Sequence, residues 1–188
     1  MKFKKIIFLS LTLFAVLSCQ PNNPAPNTPS TPFQISWQLN IGGTNYSWTG
    51  LYPDDSQPTS SANFGGSQLS KDGTLGNLNL TKSLNNSTVF TSAIPNFAVG
   101  SFNFTPTSYS TTSMVSFIDN NVLMYCNAFD GSDVTIEINS ISPNTVTLNG
   151  QYGAGLVTGT ISGTIGVNPS NGGGTKSISG TFSAVRIN

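Results

Sequence analysis

In a chain of 188 residues, seven acidic and seven basic residues and no histidine leave only 7% of positions charged, against 37% hydrophobic. Asn, Ser, Thr and Gly fill most of the rest, a composition that describes a folded domain with an uncharged polar surface rather than a highly charged disordered polymer. Without histidine there is no Ser-His-Asp or Cys-His nucleophile pair and no imidazole metal site, and without a basic run nucleic acid is excluded as the expected partner.

Lys2, Lys4 and Lys5 precede an apolar run from Ile6 to Leu17. That run is short of the roughly 20 residues needed to span hydrocarbon and has the form of a signal-peptide core, so residues 1–18 are expected to be removed. The following Val16-Leu17-Ser18-Cys19 resembles the lipobox of bacterial lipoproteins. The resemblance implies a diacylglycerol thioether on Cys19, with a second acylation at the new amine in many bacteria, and more than one chain anchors stably. The membrane is then a partner through the lipid, and Gln20 in place of Asp accords with sorting to an outer membrane. Prolines at 21, 24, 26, 29 and 32 make residues 19–32 a lipidated, extended tether, advancing about 3.1 Å per residue in polyproline II. Cleavage removes three of the seven basic residues and leaves four against seven acids, a net charge of −3.

Residues 33–188 read as one all-β domain. Phe33, Ile35, Trp37, Leu39 and Ile41 alternate with polar residues up to Gly42-Gly43, after which Thr44 to Thr49 resumes the pattern. A two-residue hairpin there places Leu39 opposite Tyr46 and Trp37 opposite Trp48, one face aromatic, the other Gln38, Asn40, Asn45 and Ser47. Ser67 to Ser70 and Leu75 to Thr81 are expected strands around Lys71-Asp-Gly-Thr74. Thr88 to Ile94 and Phe97 to Phe104 are expected as a pair, with Pro95 confined to the turn or an edge. Met114 to Ile118 and Val122 to Phe129 should flank Asp119-Asn-Asn121, and Val134 to Ile141 and Thr145 to Tyr152 should flank Ser142-Pro-Asn144, where Asn and Asp favour turns.

Ile161-Ser-Gly-Thr-Ile165 returns as Ile178-Ser-Gly-Thr-Phe182 on either side of Asn168-Pro-Ser-Asn-Gly-Gly-Gly-Thr175. A single pair of copies around a glycine loop predicts a long hairpin. Val157, Ile161, Ile165 and Val167 should line one face of its first strand, and Thr158, Thr160, Ser162 and Thr164 the other. The repeated phrase resembles uncharacterised β-sandwich lipoproteins of Bacteroidetes-type bacteria, which implies an all-β domain and supplies no catalytic residues. The fold expected is an antiparallel β-sandwich of about nine or ten strands, with a β-barrel as the alternative.

Chemistry is sparse. No Ser-x-x-Lys, Gly-x-Ser-x-Gly or phosphate-loop motif occurs. Carboxylates remain: Asp54, Asp55, Asp72, Asp119, Asp130, Asp133 and Glu137 are the candidates for an acid and base pair across a sugar, although most stand beside turn formers. Asp130 and Asp133 are also the candidates for Ca²⁺, but their spacing is not that of an EF-hand, and a plain turn is the expectation. Cys126, in an apolar run, reads as a buried small hydrophobe. Trp37, Trp48 and Tyr46 offer either a sugar platform or the core of the first hairpin, and their alignment with Ile35 and Leu39 favours core. The Thr158 to Thr164 row offers a hydroxyl array for carbohydrate or ordered water, or an ordinary solvated face. The expected function is a non-catalytic, lipid-anchored envelope or surface protein without cofactor or metal, binding glycan or another extracellular polymer. A carboxylate-dependent glycan hydrolase and a structural subunit contacting an envelope protein are the alternatives.

Overall fold

The computed structural model describes residues 33–52, 67–72, 74–81, 89–142, 146–148 and 152–187. Residues 1–32, which include the expected signal sequence, Cys19 and the expected tether, lie outside them. Twelve strands carry the described chain, which contains no α-helix: β1 (Phe33–Ile41), β2 (Thr44–Tyr52), β3 (Ser67–Asp72), β4 (Leu75–Thr81), β5 (Val89–Ile94), β6 (Gly100–Phe104), β7 (Met114–Asp119), β8 (Val122–Cys126), β9 (Asp133–Ile141), β10 (Val146–Leu148), β11 (Tyr152–Val167) and β12 (Thr175–Ile187). This exceeds the nine or ten expected.

The ladder runs β2-β1-β12-β3-β4-β5-β7-β8-β11-β9-β6, with β11 also paired to β12. Its two ends, β2 and β6, stay unjoined, and the sheet folds over on itself as a sandwich-like pair of layers linked at their corners by the β11–β12 pairing. One layer is β2-β1-β12-β11-β9-β6; the other is β3-β4-β5-β7-β8. The long β11–β12 ribbon joins them at opposite ends. Val185–Ile187 run parallel to Gln68–Ser70, and Gly166–Val167 pair with Cys126–Tyr125. Apart from that parallel corner, every pairing is antiparallel.

Strict alternation explains the core, because successive side chains point to opposite faces. Trp37, Leu39, Ile41, Ile136, Ile138, Ile161, Ile165, Ile178 and Phe182 of the first layer meet Leu78, Leu80, Phe90, Val115 and Phe117 of the second. The Trp37 indole Nε1 donates to the Thr81 carbonyl at 3.0 Å, and the Tyr46 ring lies 4.7 Å from Phe117. Gly159 makes room for this packing: a Cβ there would stand 2.3 Å from the Glu137 carbonyl oxygen and 2.4 Å from the Phe182 ring.

The first hairpin has the expected register, with Trp37 opposite Trp48 and Leu39 opposite Tyr46. Gly42 and Gly43 both take positive φ, which glycine adopts without steric cost. Asn120 and Asn121 turn the β7–β8 hairpin with positive φ in the same way. The terminal hairpin is also as expected, Ala154 to Gly166 pairing with Ile187 to Thr175.

Three expectations need correction. β5 and β6 are not partners: β5 lies between β4 and β7, whereas β6 crosses to the other layer and pairs with β9. β10 pairs with β11 rather than β9, whose two sides are taken by β11 and β6. β8 stops at Cys126 instead of reaching Phe129. Alternation reports which face a residue occupies, not which strand lies beside it, and that is why the errors concern partners and ends.

Candidate polar binding face

The outward face of the first layer carries the candidate site. Its register aligns polar residues in continuous rows across six strands. One row reads Ser47, Gln38, Thr181, Thr160, Glu137 and Ser101; the next reads Asn45, Asn40, Ser179, Ser162, Thr135 and Asn103. With strands about 4.8 Å apart, each row extends about 24 Å. A third row, Thr49, Ser36, Ser183 and Thr158, continues to Ser140 because a register shift at Thr158/Gly159 moves the outward position on β9.

The rows are partly knitted by their own hydrogen bonds. Asn40 Nδ2 donates to Asn45 Oδ1 at 2.6 Å, and Asn40 Oδ1 accepts from the Gly43 amide at 3.1 Å. Gln38 Nε2 donates to Thr181 Oγ1 at 3.3 Å, the Ser140 and Thr158 hydroxyls lie 2.7 Å apart, and Thr164 Oγ1 donates to the Gly131 carbonyl at 3.0 Å. These bonds fix the amides and leave part of their capacity facing water. Two adjoining hollows, of about 430 and 500 Å³, indent this face over β1, β2 and β12.

The aromatic platform is not on this face. Trp37 is only 2% exposed, and Tyr46 and Trp48 are partly buried against the core on the same inward side. The core reading therefore holds for Trp37, while Trp48 is less buried than its partner. Burial, with Asp119 and Tyr125 nearby, pushes the Tyr46 phenol above its usual range.

Asp133 and Glu137 both point outward from β9, four residues apart. At about 3.3 Å per residue their backbones are roughly 13 Å apart. Asp133 Oδ1 accepts from Asn103 Nδ2 at 2.7 Å. Asp130 is exposed in the turn before β9, where the Ser132 amide donates to the Phe129 carbonyl at 3.3 Å and Gly131 takes positive φ. Among the described residues no group of three carboxylate or thiol side chains comes together that could hold a metal ion. Asp72 stands at the end of β3, Asp119 at the end of β7, and Asp54 and Asp55 lie outside the described residues.

Cys126 is buried, and burial raises its thiol pKa, the environment of an inert thiol. The polar side of β1–β2 and the Thr158 to Thr164 row were each legible in the sequence, but not their union. Ser179 and Thr181 of β12 supply it. Their signal is the second copy of the Ile-Ser-Gly-Thr phrase, because Ser179 pairs with Ser162 of the first copy. Comparison with protein-family models, curated proteins and solved structures found no match.

Proposed function

We propose that this chain is a lipid-anchored bacterial envelope protein, sorted to the outer membrane, whose β-sandwich is a non-catalytic module binding a neutral extracellular glycan. The observation that supports this most directly is the merging of β2, β1, β12 and β11 into one outward face of hydroxyls and carboxamides. Sugar hydroxyls both donate and accept, as Ser, Thr, Asn and Gln side chains do. Glu137 and Asp133 place the face's carboxylates on β9, so an anionic polymer is repelled there while a neutral one is not.

Retention of the full chain, purified in detergent, on cellulose, xylan, chitin, starch and peptidoglycan, with alginate as the anionic control, tests the reading. At least one neutral polymer should retain it. Thr181→Arg, an exposed change in the middle of the face, should lower that retention about tenfold while the melting temperature stays unchanged. Retention unaffected by Thr181→Arg, or confined to alginate, would refute the proposal.

A further inference from the structure

The two hollows lie within the size range of small-ligand sites, about 300–1,000 Å³, and share Gln38 and Ser47. One continues along the hairpin to Asn40 and Asn45, the other to Ser36 and Thr49. Two residues along a strand cover about 6.7 Å, so the hollows are offset along β1 by about the length of a pyranose ring in a chain. No charged side chain lines either one.

We infer that the hollows are consecutive subsites for two adjacent neutral sugars, the glycan running along β1 with Gln38 between the rings. This rests on the glycan reading above. The Gln38 amide uses one N–H in its exposed 3.3 Å bond to Thr181, which leaves the other N–H and Oε1 for sugar hydroxyls on either side. Asn45, which lines the first hollow, has its oxygen engaged by Asn40 at 2.6 Å, which leaves its NH2 group to donate to a ligand. The Ser47 hydroxyl makes no side-chain hydrogen bond among the described residues and sits on the boundary of both hollows. A uronic acid or sulfated sugar finds no counter-charge here and loses hydration on entry. The shortest ligand that fills the site is therefore a neutral disaccharide.

Isothermal titration and amide-detected NMR of the full chain in detergent, with cellobiose, xylobiose, chitobiose and maltose and with their monosaccharides, provide the test. At least one disaccharide should bind tenfold or more tightly than its own monosaccharide and shift the side-chain amide signals of Gln38 and Asn45. Gln38→Ala should remove at least fivefold of that gain with the melting temperature unchanged, and Ser47→Ala should weaken the disaccharide more than the monosaccharide. Equal affinity for the two lengths, or shifts confined to β11 and β9 with Gln38→Ala silent, overturns the paired subsites and leaves glycan binding standing. Absence of binding to every sugar here and every polymer above overturns both.

Discussion

Asn127 carries the most demanding structural prediction. It is 0% exposed, and it continues the β7–β8 ladder beyond the last paired residue. Its backbone N–H donates to the Val115 carbonyl at 3.0 Å, its Oδ1 accepts from the Val115 amide at 2.8 Å, and its Nδ2 donates to the Thr105 carbonyl at 3.2 Å. Asn127→Ala leaves the backbone bond and removes the other two. Stranding the fully buried Val115 N–H costs about 1–3 kcal/mol, and loss of the bond to Thr105 adds about 0.5–1.5 kcal/mol. A total of about 3 kcal/mol lowers the melting temperature of a domain this size by about 6–12 °C. Differential scanning calorimetry reads that shift, and hydrogen exchange at Val115 locates it. A variant melting within about 1 °C of the parent, with the Val115 amide still protected, would show that this amide does not hold β7 to the following loop.

Gly159→Ala forces a methyl into the Glu137 carbonyl and the Phe182 ring, a backbone clash that should cost about 1–3 kcal/mol in urea unfolding; an unchanged midpoint contradicts it. Ser92, 1% exposed between Leu78 and Val115, has a hydroxyl without a hydrogen-bond partner, so Ser92→Ala should leave stability unchanged or raise it by up to about 1 kcal/mol, whereas a loss above about 1 kcal/mol would reveal a partner for the hydroxyl. The Cys126 thiol and Tyr46 phenol are both raised in the folded state, from 9.0 and 10.0. Their neutral forms therefore favour folding fully below those values, and stability falls as pH rises through them; melting curves from pH 8 to 11 should show the fall, shallower in Cys126→Ala, and parallel curves for parent and variant would refute the assignment. Cys19→Ser should move the protein from the membrane fraction to the soluble fraction and abolish acyl mass at residue 19; an unmodified Cys19 thiol in the parent would remove the lipid anchor from the proposal.

The alternation of apolar and polar residues determined the all-β class, the inward faces of β1, β2 and β11, the register of the first hairpin and the existence of the last. Those properties are local: a period of two, a glycine pair free to adopt positive φ, and a repeated phrase across a glycine loop each act within a few residues of chain. Trp37 reads as core for that reason, and its 2% exposure agrees. Tertiary structure alone decided the rest. That β6 leaves β5 for β9, that β12 stands between β1 and β11, and that Asn127 substitutes for a strand residue all depend on hydrogen-bonding edges offered by segments distant in sequence. Ser179 and Thr181 look like ordinary solvated strand positions until β12 is seated beside β1. Only then do they join Gln38, Asn40, Asn45 and Ser47 around the two hollows, because a site on a sheet face is set by which strands are neighbours, and one-dimensional periodicity contains no term for that.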